Sequence, residues 1–151
     1  MSESGAIVEY IVAKYGNGRL AVSPDSPEFA NYLFWQHFSN ASMGSTEMIR
    51  MVAGALGVAA DNPMMGFVND RSQRAFAQAE SRLGEANYFG GAELTAADIM
   101  MVFTLTTMRM FSPQDISGYP NILAYLKRIG ERPAYQRAMA KGDPGMPLLL
   151  S

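Results

Sequence analysis

Apolar residues recur at helical spacing through most of the chain, and clusters of turn residues separate the runs. The first run, over residues 7–12, predicts a helix that ends near Gly16. The second predicts a long helix from about residue 28 to about residue 56, and Gly44 with Ser45 favours a kink near its middle. No stretch alternates apolar and polar residues over a useful length, so the pattern indicates helices throughout.

The second half of the chain repeats this pattern with clearer helix starts. Asn62-Pro63 predicts the start of a second long amphipathic helix, whose apolar face begins with Met64 and Phe67. A later run, residues 99–105, is apolar nearly all round, which is typical of a helix in the middle of a core. The remaining helix starts are Tyr119-Pro120 and Arg132-Pro133. We therefore predict an all-α fold, an orthogonal helical bundle.

The start of the apolar helix carries the most specific local signal. Thr95 can accept a hydrogen bond from the Asp98 N–H, and the Asp98 carboxylate can reach back to the Thr95 N–H. This is a capping box with Asp in place of the usual Glu, and it fixes the residue at which the helix begins. An acid at this position can be mistaken for a catalytic group, but the box favours a structural role for both residues.

Composition and charge exclude several classes of function for this chain. The 151 residues are 48% hydrophobic and 17% charged, which suits one packed domain. The net charge is −2 and basic residues do not cluster, so nucleic acid is not an expected partner. The chain has no cysteine and no metal-ligand motif, so we expect neither disulfides nor a metal. With no signal-peptide pattern and no membrane-spanning run, we expect a cytoplasmic protein without a membrane partner.

Four segments besides this box match one known family. They are Glu3-Ser4-Gly5-Ala6-Ile7, Trp35-Gln36-His37-Phe38, Tyr119-Pro120-Asn121-Ile122 and residues 128–135. Together with the capping box, they resemble the C-terminal helical domain of the glutathione transferase superfamily, in a fungal type. The resemblance implies that residues 1–18 are the last helix of a thioredoxin-like domain and that residues 19–151 form the helical domain. It also implies that most of the thioredoxin-like domain, with its thiol-activating residue, is lacking.

The resemblance assigns a glutathione site to the start of the first helix. Glu3 and Ser4 match the family's Glu-Ser pair, which holds the γ-glutamyl group of glutathione. The carboxylate would pair with the ligand ammonium, and the hydroxyl and a backbone N–H would receive the ligand carboxylate. The alternative is a solvated helix start that these residues cap. Because the rest of the site would lie in the lacking domain, we expect weak glutathione binding.

The resemblance also implies a substrate pocket between the first long helix and the apolar helix. Its predicted lining residues are Trp35, Phe38, Met100, Phe103 and Arg109. The alternative is that the apolar residues form the core and that Arg109 satisfies a helix C-terminus. His37, the only histidine, is the candidate acid or base beside this pocket, and a structural hydrogen-bond donor is its alternative role.

Two functions follow from the resemblance. The first is a glutathione transferase-family enzyme that acts on a small apolar or electrophilic metabolite, as a transferase, or as an isomerase or cyclase of fungal secondary metabolism. The second is a non-catalytic binding or assembly module, or a fragment of a full glutathione transferase. Because the thioredoxin-like domain would cover an apolar face, we expect a homodimer, a partner on that face, or a bound small apolar molecule.

Overall fold

Seven α-helices build the fold in a computed structural model that describes residues 2–59 and 61–151; Met1 and Ala60 lie outside the described residues. The described residues form no β-strand, so the predicted all-α fold is confirmed. In chain order, the helices are α1 (Ser4–Tyr15), α2 (Phe29–Phe38), α3 (Ser45–Ala55), α4 (Pro63–Glu85), α5 (Ala96–Leu105), α6 (Pro120–Gly130) and α7 (Pro133–Gly142). In this part of the chain, no helix is both long and apolar enough to cross a membrane.

The predicted long helix over residues 28–56 changes type at its centre. A π-helix, Ser39–Gly44, joins α2 to α3. The kink expected at Gly44 is therefore a local widening of the helix. Gly44 is required there, because a Cβ at this position would lie 2.6 Å from the Ser39 carbonyl oxygen. Since π-turns inside α-helices frequently occur at functional sites, the side chains of this segment are candidates for a functional role.

The first turns of α4 carry apolar residues that face solvent. Asn62 caps α4 by accepting a hydrogen bond from the Met64 N–H at 2.9 Å, as the sequence predicts. The expectation that Met64 and Phe67 face the core is wrong, since these residues are 67% and 59% exposed. Burial in α4 begins only at Val68, so the first turn lies outside the core. The neighbouring helix α3 adds further exposed apolar residues, Met48, Ile49 and Val52.

Helix α5 packs against α2 and α1. Thr95 and Asp98 form the capping box at its start, and Met101 is fully buried in the core. The prediction that this helix is buried all round is wrong, because Ile99 and Phe103 are 45% and 54% exposed. These two residues are four positions apart and therefore share one face of the helix. Helix α5 is thus a core helix with one apolar stripe that faces solvent.

A carboxylate from α4 caps the start of α6. The Glu80 side chain accepts hydrogen bonds from the Asn121 and Ile122 backbone N–H groups at 3.0 and 2.9 Å. The first N–H groups of a helix have no partner within the helix, and a negative charge is favourable at that end. This contact ties α4 to α6 with a polar bond where the two helices pack together.

A buried charged network joins α3, α4 and the segment after α5. Glu47 is 1% exposed, and its carboxylate accepts hydrogen bonds from Arg50 at 2.7 Å and from the Ser112 hydroxyl at 2.6 Å. The Ser72 hydroxyl donates to the other Glu47 oxygen. A buried carboxylate needs such partners to offset the cost of its desolvation. The network therefore holds these three segments in one arrangement.

Candidate functional site

The candidate glutathione site begins at the residue that precedes α1. Glu3 is the N-cap residue, with φ 68° and ψ 108°, a conformation that costs a non-glycine residue about 1–3 kcal/mol. Its carbonyl oxygen accepts the Ile7 N–H at 3.0 Å. The Glu3 side chain does not cap the helix, and both Glu3 and Ser4 are exposed. The carboxylate and the Ser4 hydroxyl are therefore accessible at the positive end of the helix dipole.

Two polar contacts attach α1 to the second helical segment. Asn40 Nδ2 donates a hydrogen bond to Ser4 Oγ at 3.0 Å, and Gln36 Nε2 donates to the Glu9 carboxylate at 2.9 Å. Asn40 belongs to the π-helix Ser39–Gly44, and Gln36 lies on α2. The Ser4 hydroxyl is thus held by a side chain that is 36 positions away in the sequence.

A shallow groove runs along the exposed side of α2. This α2 groove has a volume of about 370 Å³ and is lined by Leu33, Phe34, His37, Phe38, Ala41 and Ser42. The Phe34 and Phe38 rings stack with their centroids 5.2 Å apart. His37 is exposed rather than buried, and its imidazole makes no hydrogen bond to a described residue. Because a catalytic imidazole relies on a partner that sets its tautomer, the described residues provide His37 with no support for the predicted catalytic role.

The predicted pocket between α2 and α5 is filled by the protein's own side chains. Trp35, Phe38 and Met100 are only 3%, 8% and 7% exposed. The Trp35 ring packs against Phe89 and Phe38, with centroid distances of 4.8 and 5.0 Å. Trp35 and Met100 therefore lie in the core, which favours their alternative role, and substrate binding by these two residues stays a prediction. Phe38 keeps an edge on the α2 groove, and Phe103 is exposed on α5.

Arg109 binds the protein's own backbone, and its predicted role in substrate binding stays a prediction. Its guanidinium donates to the Leu105 carbonyl oxygen at the end of α5, at 3.4 Å. It also donates to the backbone oxygens of Leu149 and Ser151, both at 3.0 Å. Burial lowers the pKa of Arg109. The contact with Leu105 supports the alternative role at a helix C-terminus, and the same side chain also clamps residues 149–151 against the bundle.

The capping-box carboxylate is fully buried and has a structural role. One Asp98 oxygen accepts the Phe89 N–H at 2.9 Å, and the other accepts the Thr95 N–H at 2.8 Å. The Thr95 hydroxyl also donates to this carboxylate, at 3.0 Å. Burial raises the pKa of Asp98, and these hydrogen bonds oppose the rise. Since the carboxylate is directed at internal donors, it is not available to a ligand.

Sequence reasoning missed Asn40 as a member of the candidate site. No local spacing relates Asn40 to Ser4, because their contact depends on how α1 packs against the second helical segment. Gly44 signals an irregular helix but does not show which side chain the π-turn directs towards α1. Within residues 2–59 and 61–151, no group of three or more His, Asp or Glu side chains is arranged to hold a metal ion.

Known sequences similar to this chain carry one family name. The family model for the glutathione S-transferase C-terminal domain matches residues 48–133. Glutathione S-transferase 3 of Schizosaccharomyces pombe is 26% identical, over 99% of this chain and 66% of that protein. Glutathione S-transferase 3 of Zea mays is also 26% identical, over 91% of this chain and 65% of that protein. The chain therefore spans slightly less than two thirds of the length of these relatives.

Solved structures give the same result at the level of the fold. A glutathione S-transferase from Actinobacillus pleuropneumoniae superposes with a TM-score of 0.84 at 26% identity, over 98% of this chain and 66% of that chain. A glutathione transferase from Phanerochaete chrysosporium, solved with oxidized glutathione, superposes with a TM-score of 0.72 at 25% identity, over 91% of this chain and 63% of that chain. Because the family model matches more than half of the sequence, the chain belongs to the glutathione S-transferase family and contains its C-terminal helical domain.

Proposed function

We propose that this protein binds glutathione through Glu3 and Ser4 at the start of α1. The observation that carries the proposal is the strained backbone of Glu3 at the N-terminus of a 12-residue helix, where the Glu3 and Ser4 side chains are both exposed. Strain of this kind tends to persist at sites where the geometry is used. The Phanerochaete chrysosporium relative, solved with oxidized glutathione, supports this choice of ligand.

The γ-glutamyl end of glutathione carries one ammonium and one carboxylate, and the site offers a partner for each. The Glu3 carboxylate is placed to pair with the ammonium. The Ser4 hydroxyl and the free N–H groups of the first turn of α1 are suited to the carboxylate, which the helix dipole also favours. These residues contact only one end of glutathione. We therefore expect weak binding, no tighter than about 1 mM, or about −4 kcal/mol.

The second ligand in this proposal is a small apolar or electrophilic molecule. Two exposed apolar surfaces support it, namely the α2 groove and the stripe of Ile99 and Phe103 on α5. In a transferase reaction, the glutathione thiol would add to the electrophile. The isomerase or cyclase variant, in fungal secondary metabolism, would depend on His37. Since His37 is exposed and without a hydrogen-bond partner among the described residues, the geometry favours the transferase over that variant.

A non-catalytic binding or assembly module is the second candidate function. It is favoured by the exposed His37 imidazole, which has no hydrogen-bond partner among the described residues. It is also favoured by five exposed apolar residues on α3 and α4, namely Met48, Ile49, Val52, Met64 and Phe67. Exposed apolar patches of this kind often mark partner sites. Under either function, we also propose a cytoplasmic protein that forms a homodimer or binds a partner over the face that a thioredoxin-like domain would cover.

Calorimetric titration with reduced glutathione tests the leading proposal. We expect saturable binding in the millimolar range by the unchanged protein. Glu3→Gln and Ser4→Ala should each weaken it about tenfold, because each removes a charge-assisted hydrogen bond to the ligand. Glu93→Gln, at another exposed glutamate, is the matched control and should leave the affinity unchanged. Absence of saturable binding, or equal binding by all four proteins, would refute the glutathione site.

Activity towards an electrophilic aryl halide then separates the two candidate functions. A transferase should make glutathione consume the halide faster than glutathione does without the protein. Ser4→Ala should reduce this acceleration. A protein that binds glutathione without any such acceleration is the binding module of the second candidate function.

A further inference from the structure

We propose that Asn40 is a positioning residue for the ligand carboxylate at Ser4, an inference that rests on the glutathione site proposed above. Asn40 Nδ2 donates a hydrogen bond to Ser4 Oγ at 3.0 Å, from the π-helix Ser39–Gly44. Asn40 and Ser4 are both exposed, so an external ligand can reach the hydroxyl while this bond is intact.

The direction of this hydrogen bond determines what the hydroxyl can do. A serine hydroxyl has one proton to donate and two lone pairs that accept. Because the Asn40 amide donates to Ser4, it occupies one lone pair and leaves the hydroxyl proton free. That proton can then be donated to an incoming carboxylate, the only role in which a hydroxyl stabilises an anion. Asn40 thus sets Ser4 as a donor before the ligand arrives.

The π-helix that carries Asn40 is a second unusual feature of this segment. Asn40 is its second residue, and its widened turn ends at Gly44. Gly44 allows the wide turn, since a Cβ there would lie 2.6 Å from the Ser39 carbonyl oxygen. A functional role for this segment also fits the frequent occurrence of π-turns at functional sites.

Two substitutions of Asn40 distinguish between two roles for its hydrogen bond to Ser4. The bond either positions the Ser4 hydroxyl for the ligand or only attaches α1 to the bundle. Asn40→Ala removes the amide donor, so the Ser4 hydroxyl rotates freely, and glutathione binding should weaken about threefold. Asn40→Asp reverses the bond, because the new carboxylate accepts the Ser4 proton and adds a negative charge beside the ligand carboxylate. Binding should then weaken at least about tenfold. If the contact only attached α1, Asn40→Asp would keep a hydrogen bond to Ser4 and would bind better than Asn40→Ala.

Two controls assign the effect to the hydroxyl and to the ligand carboxylate. In a Ser4→Ala background, Asn40→Ala should have no further effect, and Asn40→Asp measures the influence of the charge alone. A glutathione analogue that lacks the α-carboxylate of its γ-glutamyl residue should bind the unchanged protein and Asn40→Ala equally. Thermal melting of each variant verifies that it is folded before titration.

The outcomes distinguish this proposal from the proposed function. If the unchanged protein does not bind glutathione, the site and the role of Asn40 both fail. If it binds, but Asn40→Asp binds as well as or better than Asn40→Ala, only the positioning role is overturned. Loss of affinity in the order Asn40→Asp, then Asn40→Ala, confined to the ligand that carries the carboxylate and dependent on Ser4, supports it.

Discussion

The capping box of α5 gives the sharpest stability prediction, because its two members are not equivalent in the structure. The Asp98 carboxylate holds two buried backbone donors, the N–H groups of Phe89 and Thr95, at 2.9 and 2.8 Å. The Thr95 hydroxyl contributes one further bond, at 3.0 Å. Asp98→Ala therefore leaves two buried N–H groups without a hydrogen-bond partner, whereas Thr95→Ala leaves both of them bonded to the carboxylate.

The expected magnitudes follow from this count. A buried donor without a partner costs about 1–3 kcal/mol, so two cost about 2–6 kcal/mol. Asp98→Ala also removes a buried charge whose desolvation is unfavourable, and this offsets part of the loss. The free energy of unfolding should therefore fall by about 2–4 kcal/mol for Asp98→Ala. Thr95→Ala should lower the free energy of unfolding by about 1 kcal/mol. Because the two residues share the hydroxyl bond, the double variant should lose less than the sum of the single losses.

Urea denaturation at neutral pH, followed by far-ultraviolet circular dichroism, measures these differences, provided that the slope against urea stays constant. Asp98→Asn adds a variant of the same size, in which an amide NH₂ replaces one oxygen and faces a backbone N–H. Its free energy of unfolding should be about 1–3 kcal/mol lower than that of the unchanged protein. Equal losses for Thr95→Ala and Asp98→Ala, or strictly additive losses, would refute the assignment of the capping box to the carboxylate.

The pH dependence of the Asp98→Asn effect tests the electrostatic part of this account. Burial raises the pKa of Asp98 above its ordinary value of 3.8, so the folded state binds this proton more tightly than the unfolded state does. The contribution of Asp98 to the free energy of unfolding should therefore increase as the pH falls through the folded pKa towards 3.8. The loss caused by Asp98→Asn should grow over the same window. A loss that shrinks there would show that hydrogen bonding outweighs burial.

Two further predictions concern backbone geometry. Gly44→Ala should lower the free energy of unfolding by about 1–3 kcal/mol, since its Cβ would lie 2.6 Å from the Ser39 carbonyl oxygen. Gly54→Ala on α3, where nothing lies within 4 Å, is the control and should be neutral or stabilising; equal losses in thermal melts would contradict the requirement for a π-turn. Arg109→Ala should make the backbone of residues 149–151 more mobile without unfolding the bundle, because its guanidinium holds the backbone oxygens of Leu149 and Ser151; unchanged backbone relaxation there would argue against the clamp.

Helix starts were predictable because their signals are local. Asn62-Pro63 and Tyr119-Pro120 combine a cap or turn with a proline, whose fixed φ suits the first helical position, and the helices begin at Pro63 and Pro120. The capping box of Thr95 is equally local. Each of these signals lies within four residues of the helix that it starts, so no tertiary information is needed.

The direction of side chains was less predictable because it depends on packing between distant segments. A helix that is apolar on every side does not reveal that Phe103 will face solvent while Met100 is buried. The same holds for polar pairs such as Glu80 with Asn121, which are 41 positions apart. In the candidate site, Ser4 follows from a family resemblance, whereas its partner Asn40 depends on the packing of α1 against a π-helix.

The central claim is that glutathione binds at the N-terminus of α1, and amide chemical shifts test it most directly. In a titration of the isotopically labelled protein with reduced glutathione, we predict saturable shifts that are largest for the backbone amides of Ser4, Gly5 and Ala6 and for the side-chain amide of Asn40. These groups lie at the first turn of α1 and at the hydrogen bond that attaches it. Shifts that do not saturate, or that saturate only at residues elsewhere in the bundle, would contradict the claim.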